Sequence, residues 1–197
     1  MKIRHYLAAA LVLSFVLSAC SSSADEKMSL EDLIQLAEEE GASSATMRRI
    51  EDGVVTPAER EAAIADYRTC LGDLGIIAGE PLVNPVDGWR VTIDLDMRGD
   101  DSPELAESAD NCAGEFYGGA IQLGYEMSNP EVMDPLLMAA TQKCLADQGV
   151  ETTGQETNID DLGRGEHLES DRVQLVLECI RTHAWALYPD RRITLTY

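Results

Sequence analysis

The chain has 197 residues, of which 15 are Lys or Arg and 36 are Asp or Glu, so its formal net charge is −21. This length suits a single domain, and a hydrophobic content of 45% is enough for a core, which excludes a wholly disordered chain. Binding to nucleic acid or to an anionic membrane face needs a basic surface. We therefore expect no nucleic-acid partner.

The first twenty residues combine a basic start, an apolar run and a cysteine. Lys2 and Arg4 precede apolar residues 6–16, and the segment Leu17–Cys20 reads Leu-Ser-Ala-Cys. A basic start, a short apolar run and small residues are typical of a secretory signal. The apolar run is shorter than the roughly 20 residues that a transmembrane helix needs. The Leu-Ser-Ala-Cys segment resembles the lipobox of bacterial lipoprotein precursors.

This resemblance implies how the chain is processed and held. Residues 1–19 would be a signal peptide that is removed, and the Cys20 thiol would carry a diacylglyceryl group. Two or more acyl chains, at about 0.8 kcal/mol per buried methylene, anchor a protein stably. Residues 20–28 would form a flexible tether for a globular domain of residues 29–197 at the extracytoplasmic face of the cell membrane. The alternative is an ordinary secretory signal that happens to end in cysteine.

Four further cysteines remain in the predicted mature chain, at Cys70, Cys112, Cys144 and Cys179. An even number in an exported chain predicts two disulfides, for which three pairings exist. A zinc site would show closely spaced pairs such as C-x2-C, which this sequence lacks. We expect no metal and no cofactor.

A short internal repeat favours one of the three pairings. The segments that begin at Cys70 and Cys144 both read C-L-x-D-x-G-(I/V), and each is followed by a second cysteine in a predicted helix. The simplest arrangement is two similar helix–Cys…helix–Cys units, residues 56–126 and 130–197, each closed on itself. The repeat therefore predicts the pairs Cys70–Cys112 and Cys144–Cys179.

Local patterns predict mostly helices, in chain order at residues 29–38, 44–51, 57–74, 102–116, 133–148 and 171–187. Residues 89–97 alternate apolar and polar side chains and predict one half-buried strand, and residues 192–197 predict a second strand that could pair with it. Arg191 and Arg192 would then help to neutralise Asp94 and Asp96. Residues 117–126 fit either a broken helix or a short strand. Together these elements predict an α-rich α+β domain with a small antiparallel sheet.

Three acidic segments have some likeness to calcium loops. Residues 51–59 resemble the second half of an EF-hand loop, but Arg48 and Ile50 stand where the first ligands should be. A turn at Asp52 followed by a helix cap at Thr56 explains the same residues. Two other groups could hold a calcium ion but are better explained as solvated loops; they are Asp96, Asp100 and Asp101, and Asn158, Asp160 and Asp161.

Catalytic patterns are sparse. His167 and His183 are the histidines of the predicted mature chain, and no serine lies in a G-x-S-x-G setting. Both histidines are expected to be ordinary surface or packed residues. Carboxylate pairs are abundant, so a glycosidase-like pair remains an alternative.

Residues 45–185 also resemble a loose group of lipoproteins of high-GC Gram-positive bacteria, on the repeated cysteine motif, the preceding D-G-x-x-T-x-x-E segment and the lipobox. That group has no established activity to transfer. We expect a non-enzymatic binding or assembly role in the cell envelope, with an envelope protein as partner. The alternatives are an accessory or solute-recognition lipoprotein of an ABC-type transporter and an envelope hydrolase that uses two carboxylates.

Overall fold

The structure is a computed structural model that describes residues 28–100, 102–167, 170–191 and 193. The predicted signal peptide, Cys20 and the tether as far as residue 27 lie outside the described residues, as does nearly all of the strand predicted at 192–197. The helices of the described part are α1 (Leu30–Glu39), α2 (Ser44–Ile50), α3 (Pro57–Asp73), α4 (Pro103–Phe116), α5 (Gly119–Ser128), α6 (Pro135–Asp147), α7 (Ile159–Gly163) and α8 (Asp171–Leu187). The strands are β1 (Ile77–Ala78), β2 (Leu82–Val83), β3 (Val91–Thr92) and β4 (Leu95–Asp96). The prediction of a single α-rich α+β domain is confirmed.

Four of the eight described helices begin at side chains that the sequence marks as helix caps. The Ser29 and Thr56 side chains accept hydrogen bonds from the amides of Asp32 and Glu59, whose carboxylates in turn accept from the cap backbone. These reciprocal bonds satisfy amides that have no partner inside the helix. Ser102 and Ser170 cap α4 and α8 through the same N3 amide. The boundaries of these helices therefore follow from local chemistry.

The single strand predicted at residues 89–97 is wrong, because the segment is two short strands in two separate sheets. β3 pairs with β2 and β4 pairs with β1, both antiparallel. Leu82 is opposite Thr92, whereas the Gly79 amide donates to the Asp94 carbonyl at 2.8 Å. Between the two sheets, two residues on the side of β1 and β2, one of them Pro81, therefore oppose a single residue on the side of β3 and β4. Proline has no amide hydrogen to give to a ladder, so the register shifts there by one residue, as in a β-bulge.

The segment that the sequence left open is a helix, α5, whose first turn is capped by a distant residue. The Glu40 carboxylate accepts hydrogen bonds from the amides of Gly119 and Ala120 at 2.7 and 3.1 Å. A β-carbon at Gly119 would lie only 2.8 Å from that carboxylate. Further along α5, a β-carbon at Gly124 would lie 2.7 Å from the Val55 Cγ2 atom. α5 therefore needs glycine where it meets its neighbours.

Two disulfides join helices in the predicted pairs. Cys70 of α3 is bonded to Cys112 of α4, and Cys144 of α6 is bonded to Cys179 of α8, with Cα atoms 5.8 Å apart in both cases. The predicted pairs Cys70–Cys112 and Cys144–Cys179 are confirmed. Sequence separations of 42 and 35 residues correspond to about 4 kcal/mol of stabilisation each in the loop-entropy model.

The two copies of the repeated motif also end their helices in the same way. Gly75 and Gly149 have φ angles of +80° and +79°, which favour glycine. The amides of the next residues, Ile76 and Val150, donate to the leucine carbonyl five residues earlier at 3.0 and 2.9 Å. Each motif therefore encodes a disulfide cysteine, a helix end and a reversal of the chain.

The loop at residues 84–88, which belongs to the first unit, packs against the second unit. Its Val86 is buried in the core of the second unit, against α6 and α8. The Val132 amide donates to the Asp87 carbonyl at 3.1 Å, and the Asp134 amide donates to the Pro85 carbonyl at 2.7 Å. These two hydrogen bonds hold the segment between α5 and α6 against this loop. Across the residues that the structure describes, none of the helices combines the length and apolar character required to cross a bilayer.

Candidate functional site

The acidic segments that resemble calcium loops use their oxygens in turns and caps. The Asp52 carboxylate accepts from the Val54 amide at 3.0 Å, ahead of the capping box at Thr56, so the turn-and-cap explanation of residues 51–59 is confirmed. Asn158 caps α7, and the Asp161 carboxylate accepts from the amide and hydroxyl of Thr157. Within the described ranges, no group of three or more His, Cys, Asp or Glu side chains is arranged to hold a metal ion.

Asp96 and Asp100 have similar local roles in the third acidic segment. Their carboxylates accept from the amides of Arg98 and Ser102 at 2.8 and 3.1 Å. Asp101 lies outside the described residues. Of the two predicted partners of Asp94 and Asp96, Arg192 lies outside the described residues. Arg191 packs 4.9 Å from the centre of the Tyr188 ring and donates to the Val83 carbonyl at 3.2 Å.

The two histidines lie in unrelated surroundings. His167 is exposed just before α8, where its carbonyl accepts from the Ser170 amide at 2.8 Å. His183 is partly buried on α8, two residues before Trp185, whose side chain is largely exposed. Within the described part of the chain, neither histidine side chain forms a hydrogen bond or an ion pair with a nucleophile or a carboxylate.

A carboxylate with a raised pKa lies at the connection between the two units. Burial raises the pKa of the Glu131 carboxyl to about 7. The negative charges of Asp160, Asp87 and Asp161 add to this effect, whereas Arg90 opposes it. Asp87 is itself occupied, because its oxygens accept from the Trp89 and Arg90 amides and from the Asn84 side chain. This leaves Glu131 and Asp160 as the candidate carboxylate pair.

A concave surface, which we call the α3 groove, runs along α3. After the reversal at Gly75 the chain runs back beside α3 as residues 76–83, and two hollows of about 640 and 330 Å³ lie between them. The hollows share Ala65 and Arg68. On the α3 side the larger hollow meets the small residues Ala65, Thr69 and Gly72. Small side chains at this spacing keep the helix surface low and the groove open.

The larger hollow differs in charge from the protein as a whole, whereas the smaller hollow is balanced, with Arg60 and Arg68 against Glu61 and Glu80. Among the described residues, the charged residues that line the larger hollow are Arg68 and Arg98. Another hollow, of about 520 Å³ near α7, has the opposite character, with Glu156, Asp160 and Asp161 beside Arg164. The larger hollow is thus a locally cationic site in a strongly acidic chain.

A salt bridge stands where the two hollows meet. Arg68 Nη2 lies 3.2 Å from Glu80 Oε1, and the Glu80 side chain is 83% exposed. The second unit has an equivalent contact, from Gln142 Nε2 to Glu156 Oε2 at 3.0 Å. Arg68 and Gln142 both lie two residues before the first cysteine of their motif. In the first unit this position carries a cation, which makes the groove able to hold a carboxylate.

The edge of β1 forms part of the same surface. Because Gly79 and Asp94 are hydrogen-bonded, the alternation of an antiparallel ladder makes Ala78 and Leu95 a non-hydrogen-bonded pair. The amide and carbonyl of Ala78 therefore point away from β4. Within the described part of the chain, no strand pairs with this outer edge. Ile77, next to it, is 46% exposed.

No family model, curated protein or solved structure matches this chain.

Sequence patterns alone did not identify Arg68, Arg98, Ile77 or Glu131 as candidate residues. One signal was present: the two copies of the repeat differ in charge two residues before the first cysteine, with Arg68 in one copy and glutamine in the other. The other residues come together only because of chain reversals and the connection between the units. The α3 groove and the pair Glu131 and Asp160 are thus products of the tertiary fold.

Proposed function

We propose that this protein is a lipid-anchored extracytoplasmic protein of the cell envelope with a non-enzymatic binding or assembly role. Cys20 is the residue that would carry the lipid. The binding surface is the α3 groove, where Arg68 and Arg98, the exposed apolar side chain of Ile77 and the outer edge of β1 lie together. The membrane would be contacted through the lipid, since the acidic domain is repelled by anionic headgroups.

The observation that carries this proposal is the pair of disulfides between helices. Disulfides of this kind persist in oxidising compartments and are rare in the cytosol. Each one starts from the first cysteine of its repeat. The first disulfide joins α3 to α4, and the second joins α6 to α8. These are structural cross-links, and they agree with the resemblance of the first twenty residues to an export signal with a lipobox.

The anchor is tested by comparing the full chain with its Cys20→Ser variant, in a host that processes lipoproteins. We expect the wild-type protein in the membrane pellet, with an intact mass equal to the chain from Cys20 plus acyl groups. The variant should lose the acyl mass and leave the pellet. A Ser21→Ala variant is the matched control and should behave as wild type. Wild-type protein found in the cytosol with residues 1–19 attached and Cys20 unmodified would contradict the proposal.

The same samples test the compartment. Thiol labelling under denaturing conditions should modify Cys70, Cys112, Cys144 and Cys179 only after a reductant is added. Labelling of these cysteines without reductant would show that the protein matures in a reducing compartment.

Crosslinking of the membrane-anchored wild type then tests the binding role, because the Cys20→Ser variant should lose crosslinks that depend on the membrane location.

A second function, hydrolysis by a carboxylate pair, is favoured by one observation, the raised pKa of Glu131 beside Asp160. A carboxyl group that is protonated near neutral pH can act as a general acid. The test is product release from fluorogenic oligosaccharides by the full chain between pH 5 and 7. Release that disappears in both Glu131→Gln and Asp160→Asn variants would establish hydrolysis, and release that both variants retain would exclude this pair.

A further inference from the structure

We propose that the α3 groove binds an extended peptide segment that carries acidic side chains and belongs to another protein of the envelope. This inference deepens the proposed function, on which it rests, by naming the class of ligand. The groove offers the peptide three kinds of contact: cationic side chains, the exposed apolar side chain of Ile77 and the outer edge of β1.

The dimensions of the groove suit an extended chain. It follows α3 from Arg60 to Gly72, which is about 18 Å at the rise of an α-helix. An extended chain covers that length with about five residues. The outward amide and carbonyl of Ala78 can pair with the peptide backbone, as happens when a peptide adds to the edge of a sheet. Ile77, which is 46% exposed, provides apolar surface beside that edge.

The salt bridge in the groove shows where a ligand carboxylate would bind. Glu80 Oε1 lies 3.2 Å from Arg68 Nη2, so the groove already holds one carboxylate against this guanidinium. Exposed salt bridges contribute little stability, and the Glu80 side chain is 83% exposed. A carboxylate of the peptide can therefore replace Glu80 on Arg68. Arg98, also exposed, is available for a second acidic side chain at the end of the groove.

The overall charge of −21 opposes an acidic ligand at long range. At physiological ionic strength this repulsion is screened over about 8 Å, so the two arginines dominate once the peptide is in contact. An inorganic polyanion would use only the arginines. A peptide also uses Ile77 and the backbone of Ala78, which is why we commit to a peptide.

The test measures fluorescence anisotropy with the full chain in non-ionic detergent. The probe is a fluorescein-labelled peptide of about eight alternating glutamate and valine residues, and the neutral probe has glutamine in place of glutamate. Arg68→Gln and Arg98→Gln should each weaken binding of the glutamate peptide about tenfold, because each removes a charge-assisted hydrogen bond. Glu80→Gln should strengthen it severalfold, because it removes the internal competitor. Arg181→Gln, an exposed arginine on α8, is the matched control and should leave binding unchanged.

Circular dichroism would show whether an arginine variant is misfolded. In that case the proposal is still tested by Glu80→Gln, for which a rise in affinity is expected. Equal binding of the glutamine peptide, stronger binding of inorganic polyphosphate than of the peptide, or no response to Glu80→Gln would overturn the proposal. Self-association of the chain that Arg98→Gln abolishes would identify a second copy as the occupant and would also overturn it. Intact mass and membrane partition of the same protein test the lipid anchor separately, so failure of the groove and failure of the proposed function are distinguishable.

Discussion

Replacement of Glu131 by glutamine is expected to stabilise the protein above neutral pH and to change little in acid. Burial raises the pKa of Glu131 from 4.5 to about 7, and Asp160, Asp87 and Asp161 add to this effect against the opposing charge of Arg90. A carboxyl whose pKa is higher in the folded state than in the unfolded state favours folding while it is protonated. Its contribution is complete below about pH 4.5 and is lost as the pH rises through about 7.

The magnitude follows from the size of this pKa shift. A change from 4.5 to about 7 corresponds to at most about 3 kcal/mol between the two protonation states. Glu131 is only half-buried, and solvent screening of its charge reduces this to about 1–2 kcal/mol. Glutamine keeps the shape of the side chain and cannot ionise. The variant should therefore gain about 1–2 kcal/mol in free energy of unfolding at pH 8 relative to wild type, and almost nothing at pH 4.

The assay is urea unfolding of the full chain followed by far-UV circular dichroism at several pH values between 4 and 8. Glu107→Gln, on the exposed side of α4, is the matched control and should show no pH-dependent difference from wild type. The reasoning is refuted if Glu131→Gln is less stable than wild type at pH 8. A difference of equal size at pH 4 and pH 8 would also refute it, since ionisation of Glu131 would then not be the cause.

Three further predictions concern the packing of the helices, each measured as the free energy of unfolding in urea. Glu40→Ala should lower it by about 1–2 kcal/mol because the first turn of α5 loses its cap, whereas Glu38→Ala, exposed on α1, should have little effect. Gly124→Ala should lower it by about 1–3 kcal/mol through overlap with a buried valine, and Gly72→Ala, which has open space around it, should raise it by up to about 1 kcal/mol. Replacing both cysteines of the Cys144–Cys179 pair by alanine should lower it by about 2–4 kcal/mol, and no loss would show that this cross-link does not stabilise the second unit.

The carboxylate of Glu40 shows why part of the fold cannot be predicted from local sequence. The start of α5 at Gly119 has no side-chain cap of its own, and the residue that caps it lies at the end of α1. The split of the strand predicted at residues 89–97 has a similar cause. The segment alternates apolar and polar residues, but Leu95 on its apolar face is exposed. Pro81, which faces the break, belongs to the other strand segment.

The sequence by itself determined the features that depend on neighbouring residues or on comparison of the chain with itself. Ser29, Thr56 and Ser170 specify helix starts because a capping hydrogen bond spans only three residues. The internal repeat specified both disulfide pairs, because similar segments fold into similar units. Only the tertiary structure decided that Arg68 and Arg98 line one groove and that Glu131 lies among other carboxylates, because burial and charge proximity depend on residues that are distant in the chain.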